Sequence, residues 1–146
     1  MIVVAGTSGL LTLFNRSDPD HRATRKAADE CGLLVATSLA LTEVHQVATI
    51  RAGRAAADSI LRSLSARVKD MRLVLADTTS ELLDTALAVR ARYGTLDLDL
   101  VDALNVCLAA EYDTDAVLTR DIRDFRTVRP LGSTYGHFRI LPDDMA

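Results

Sequence analysis

Tryptophan is absent from the sequence and aromatic residues make up only 4% of it, so the core must be built from aliphatic side chains. The same scarcity excludes the stacked aromatic platform on which single-strand nucleic-acid binders rest their bases. There are only two cysteines, Cys31 and Cys107, both in apolar surroundings. That pattern predicts buried free thiols in a reducing compartment and excludes a disulfide framework. Of the three histidines, none stands at ligand spacing from a cysteine or another histidine, which excludes an ordinary zinc site. No apolar run approaches the roughly 20 residues of a membrane span. The Met1–Ala5 start has neither the basic region nor the apolar length of a signal peptide, so a cytoplasmic protein is expected. Acidic side chains are missing altogether from residues 1–17.

What is present is an ordinary globular balance of 49% hydrophobic and 25% charged residues. A chain of 146 residues fits a single domain, residues 1–146. Its formal net charge of -3 argues against nucleic-acid binding through overall charge, while leaving room for a local basic rim. Short β-branched or aliphatic runs alternate with helical periodicity. Strands are predicted at Ile2–Val4, Leu33–Ala36, Arg72–Leu75 and Ala116–Thr119, with a fifth, edge strand at Phe138–Leu141. Helices are expected near 10–14, 21–30, after Thr37 or Ser38, over 54–69 and over 100–111. Thr78 and Glu81 have capping-box spacing at the head of another helix, which ends near Tyr93-Gly94. This alternation predicts an α/β sandwich around a parallel sheet.

In such sheets ligands gather outside the carboxyl ends of the strands. That rule brings Gly6, Glu43, Asp102 and Asp121 to one end of the molecule. Clustered carboxylates repel one another, and a hard divalent cation removes the penalty; oxygen-only ligation suits Mg2+ or Mn2+. Glu43, Asp102, Asp121 and the accessory Asp124 are therefore candidate ligands. Each has a plainer alternative: a solvated helix residue for Glu43, a carboxylate favoured by the helix dipole for Asp102, a turn cap for Asp121. Asp97 and Asp99 fit capping or solvation better than chemistry. Thr7 and Ser8 either cap a helix or hydrogen-bond a neighbouring carboxylate or phosphate. Asn105, three residues after Asp102, shares its helix face and either orients a ligand or marks the edge of the site. Arg120, Arg123, Arg126 and Arg129 are candidate contacts for RNA phosphates, or else a salt-bridged face. A phospho-acceptor signalling domain fits less well, because no acidic pair stands near the first strand and no lysine follows the fourth.

The segments Ile2-Val3-Val4-Ala5-Gly6-Thr7-Ser8, Thr42-Glu43-Val44, Leu100-Val101-Asp102-Ala103 and Leu118-Thr119-Arg120-Asp121-Ile122-Arg123-Asp124-Phe125, in this order and spacing, resemble the PIN-domain family. Within it they are most similar to the VapC toxins of bacterial toxin–antitoxin pairs, over essentially the whole length. The resemblance implies a PIN-like three-layer sandwich with a central, mostly parallel sheet of four to five strands flanked by helices. It also implies a Mg2+- or Mn2+-dependent endoribonuclease acting on tRNA or rRNA, forming a homodimer and silenced by a cognate VapB-like antitoxin. Glu43, Asp102 and Asp121 match the family's acidic positions. The family's first aspartate precedes the Thr-Ser pair, and here Gly6 holds that place. One ligand is thus lost, and the expectation is an impaired nuclease, with a catalytically inactive PIN module that retains antitoxin or RNA binding as the alternative.

Overall fold

The computed structural model describes residues 1–145. Five strands, β1 (Ile2–Ala5), β2 (Leu33–Thr37), β3 (Leu73–Ala76), β4 (Ala116–Leu118) and β5 (Arg139–Leu141), form one sheet in the order β3-β2-β1-β4-β5. Every neighbouring pair is parallel, so the sheet is wholly rather than mostly parallel. Parallel strands need crossovers, and the helices supply them: α1 (Thr7–Phe14), α2 (His21–Glu30), α3 (Ser38–Ala52), α4 (Arg54–Lys69), α5 (Ser80–Arg92), α6 (Leu100–Glu111) and α7 (Ile122–Thr127).

The period-2 alternation of the strands divides the core between two faces. Val3, Ala5, Leu34, Ala36 and Leu118 pack with Leu10, Val44 and Leu64 of α1, α3 and α4. Val4, Val35, Val117 and Ile140 face the other way, against Ala86 and Val89 of α5 and Leu104 and Leu108 of α6. Phe125 and Phe138 seal the second face as an edge-to-face pair with ring centroids 5.3 Å apart. Both cysteines are buried and free, as expected. Among the described residues no helix is long and apolar enough to cross a membrane.

The chain enters at β1 in the middle of the sheet, builds outward through β2 and β3, then crosses back by α5 and α6 to lay β4 on the other side of β1. The strand order therefore reverses between β1 and β4. A parallel sheet opens a crevice at the carboxyl ends of its strands at such a point. The Gly6 N–H donates to the Leu118 carbonyl at 2.9 Å, which zips the two strand ends together at its floor.

Helix starts follow capping chemistry. The Thr37 hydroxyl accepts the Ala40 N–H at 3.1 Å at the head of α3, one of the two caps expected there. At α5 the cap is Thr79, accepting from Leu82 N–H at 3.1 Å, and not Thr78, whose hydroxyl is buried without a partner. The expected Thr78–Glu81 box does not form. The cap falls one residue later, on Thr79, because two adjacent threonines offer the same cap chemistry, and the third residue after it, Leu82, has no carboxylate to close a box. Strand β3 likewise begins one residue later than expected, at Leu73, and β4 ends at Leu118.

Candidate active site at the β1–β4 crevice

Helix α6 is buried along nine consecutive residues, Val101 to Ala109, and two of these are Asp102 and Asn105. Polar groups so placed need partners or cost about 1–3 kcal/mol each. Asp99 caps the helix by accepting the Asp102 N–H at 2.8 Å, the capping role anticipated for it. That bond sets Asp102 in the first turn, turned inward beneath the crevice. There its carboxyl lies beside that of Asp121, which follows β4. Burial pushes the Asp102 carboxyl up to about 9, and the negative charge of Asp121 adds to the effect, followed by Asp99 and Asp124. Without a cation beside it, Asp102 is therefore protonated at neutral pH.

Glu43 lies elsewhere on the crevice wall. Its Oε1 accepts the Thr7 hydroxyl at 2.7 Å, joining α3 to the start of α1. Thr7 thus bonds a neighbouring carboxylate, one of the two roles the sequence left open for it, and Gly6, at the cap position of α1, makes no side-chain cap. Asp124 stands in the first turn of α7, near enough to influence Asp102. The expected convergence of Glu43, Asp102 and Asp121 is therefore partial. No group of three His, Cys, Asp or Glu side chains among the described residues is arranged to hold a metal ion. Two acids pair and the third is drawn to a hydroxyl, since a third carboxylate beside the pair would add repulsion.

The glycine gap is open on this side. Gly6 has φ -85° and ψ 167°, an extended conformation that any residue adopts. A Cβ built there would lie 3.4 Å from Asn105 Nδ2, 3.5 Å from the Leu118 carbonyl oxygen and 3.7 Å from Thr119 Oγ1. All three neighbours are polar. Asn105 is 1% exposed, and its Oδ1 has no hydrogen-bond partner. A buried amide oxygen without a partner, next to a glycine with polar neighbours, marks a polar socket at position 6. Gly9 differs: a Cβ there would drive into the Leu118 carbonyl, so close approach of α1 to β4 demands glycine.

Sequence reasoning missed Thr119 as a site residue. Its buried hydroxyl accepts the Asp121 N–H at 3.0 Å and lies 3.2 Å from Ser8 Oγ, which in turn accepts the Arg120 N–H at 2.9 Å. This small network aims the loop carrying Asp121. Threonine two residues before an aspartate at a strand end is the signal that was available, a side-chain turn of the Ser/Thr kind. The arginines expected to meet RNA are placed differently from one another. Arg120 is held at both ends of its fork, by Asp143 at 2.6 Å and Asp20 at 3.1 Å. Arg126 binds Asp144 through both terminal nitrogens, at 2.7 and 2.6 Å, and Arg123 is exposed. Two of the four expected RNA-contacting arginines, Arg120 and Arg126, therefore belong to internal ion pairs, while Arg123 and Arg129 are exposed. The reason is a C-terminal turn that returns acids to them from outside the motif.

A model of the PIN domain matches residues 3–130. The chain belongs to the PIN-domain family. Over 141 residues this PIN domain is 30% identical to Ribonuclease VapC26 of Mycobacterium tuberculosis, covering 96% of the chain and 100% of that relative. It also superimposes on the crystal structure of VapC20 from Mycobacterium tuberculosis, described as a sarcin-ricin loop cleaving toxin, with a TM-score of 0.70. That match covers 83% of this chain and 90% of the other at 19% sequence identity, and it speaks to the fold. In donor chemistry the Asp102 and Asp121 carboxyls of this PIN domain suit a hard dication, and no carboxylate stands at position 6.

Proposed function

We propose that this PIN domain is a VapC-type endoribonuclease toxin, dependent on Mg2+ or Mn2+, whose hydrolytic centre is weakened by glycine at position 6. The observation that carries the reading is the buried Asp102 beside Asp121 at the β1–β4 crevice, in a chain 30% identical over nearly its whole length to a VapC ribonuclease. A bound dication would supply positive charge for the phosphodiester and a more acidic water for in-line attack. Asp102 and Asp121 would hold it, with Asp102 giving up its proton. Glu43, steadied by Thr7, completes the acidic wall, and Thr119 and Ser8 fix the direction of Asp121. Asp124 is the accessory acid at the rim. Asn105 stands ready to orient a carboxylate at position 6, where this chain offers none. Substrates of the tRNA or rRNA class follow from the family resemblance.

A groove of about 880 Å³ beside the site, with Leu11, Phe14 and Ile60 in its wall and Arg16 and Arg51 along it, supports pairing with a VapB-like antitoxin. Apolar anchors and a positive rim suit an amphipathic acidic segment. The homodimer of the family belongs to the same proposal. The second reading, a PIN module that binds antitoxin or RNA without hydrolysis, is favoured by Gly6 itself.

The test is RNA cleavage and growth arrest by the Gly6→Asp variant beside the parent chain, with Gly6→Asp/Asp102→Asn as control. Metal-dependent cleavage by the first alone supports impairment of a genuine nuclease. Equal inactivity of all three supports the binding module.

A further inference from the structure

The C-terminal turn does more than end the chain. After β5 it brings Asp143 and Asp144 back across the sheet edge to α7 and the loop that carries Asp121. Asp144 is tied into the fold: besides Arg126 it accepts the Ile140 N–H at 2.8 Å. Asp143 has a different position. Its carboxylate touches Arg120 Nη1 at 2.6 Å, its side chain is 33% exposed, and Arg120 is its partner among the ion pairs. Arg120 in turn stands next to Asp121 in sequence and lines the groove beside the site. Asp20 caps the other nitrogen of the fork, and Asp18 lies near enough to act on the same guanidinium. One cation, Arg120, therefore faces three acids.

A guanidinium recognises carboxylate and phosphate oxygens by the same two-pronged geometry. We propose that Asp143 sets RNA affinity by occupying, on Arg120, the position an RNA backbone phosphate would take. The inference rests on RNA being the substrate. A carboxylate tethered on a short turn competes at an effective concentration on the order of millimolar, well above that of any free phosphodiester segment. Removing its charge frees one prong of the fork beside the reacting acids. Single-stranded RNA then gains a phosphate contact, and the salt dependence of binding steepens by about 0.7 in log–log slope, worth roughly fivefold to tenfold in affinity at about 50 mM salt.

The experiment is fluorescence anisotropy of a labelled single-stranded RNA oligonucleotide in EDTA, so that no cleavage intervenes, across a salt series. The proteins are the parent chain, Asp143→Asn, Asp20→Asn, Arg120→Gln, the Asp143→Asn/Arg120→Gln pair, and Asp70→Asn as a remote charge control. Thermal melts accompany each. The expected result is tighter binding and a steeper slope for Asp143→Asn, a similar gain for Asp20→Asn, and no gain from Asp143→Asn once Arg120 is Gln. An Asp143→Asn protein that binds no better than Asp70→Asn overturns the proposal. So does a gain that persists without Arg120, or a lowered melting temperature with unchanged affinity, which is what a simple C-terminal staple gives. Cleavage by Gly6→Asp alongside a negative binding result would retire this inference alone. Absence of both cleavage and RNA binding would retire the ribonuclease reading with it.

Discussion

Replacing Gly6 with aspartate adds a carboxylate near the Asp102–Asp121 pair, and the consequence for stability follows from local geometry. The backbone at position 6 is already extended, and a Cβ makes contacts of 3.4 to 3.7 Å, so the fold accepts the side chain. Losing glycine stabilises by about 0.4–1 kcal/mol through the unfolded chain. Against this, a third carboxylate near the pair adds charge repulsion, on the order of 3 kcal/mol for unit charges in close approach at an effective dielectric of about 20. The net loss without metal is about 2 kcal/mol, or roughly 6 °C in Tm for a chain of this size. With three carboxylates a dication at about 100 times its Kd returns about 2.7 kcal/mol, close to 8 °C. Differential scanning fluorimetry in EDTA and in Mn2+ or Mg2+ measures both quantities. Gly6→Asp is expected to melt below the parent in EDTA and to gain far more from metal, while the parent shifts by about 2 °C or less. Equal metal shifts for the two proteins would show that position 6 does not reach the ion, and the argument for a lost ligand would fail.

Two other changes bear on the same region. Asp102 is protonated in the folded state up to about pH 9, chiefly through burial and then through Asp121, but ionises near 4 when unfolded. The folded chain therefore holds a proton that the unfolded chain releases, so metal-free stability is full below about pH 4 and declines up to about pH 9. Asp102→Asn should flatten that decline and melt above the parent at pH 7–8 in EDTA; a lower melting temperature there would contradict the paired-acid description. Gly9→Ala should cost about 3 kcal/mol, since its methyl meets the Leu118 carbonyl, whereas Gly6→Ala should be neutral or slightly stabilising. Denaturant melts showing equal effects at the two glycines would refute the close approach assigned to Gly9.

Much of the framework was legible because it depends on local periodicity. β-branched runs such as Ile2-Val3-Val4 bury on both sides, and the amphipathic stretch 54–69 became α4 at the expected bounds. The rule that ligands gather at strand carboxyl ends was enough to join Asp102 to Asp121 across 19 residues of sequence. Boundaries slipped where neighbours were chemically alike, as at Thr78 and Thr79. Pairing over long separations was not legible. Arg120 and Arg126 read as a basic rim because their acids, Asp20, Asp143 and Asp144, come from other parts of the chain.

Order and spacing along the chain were sufficient to establish the alternating α/β plan, the candidate acids and the gap at residue 6, because hydrophobic period and side-chain type act within a few residues. Tertiary structure alone decided which charges neutralise which. It drew Glu43 to Thr7, left Asn105 Oδ1 without a partner, and turned two arginines away from the solvent role their spacing suggested. Electrostatic pairing depends on distances between remote segments, and those distances are set only when the sheet and its crossovers have packed.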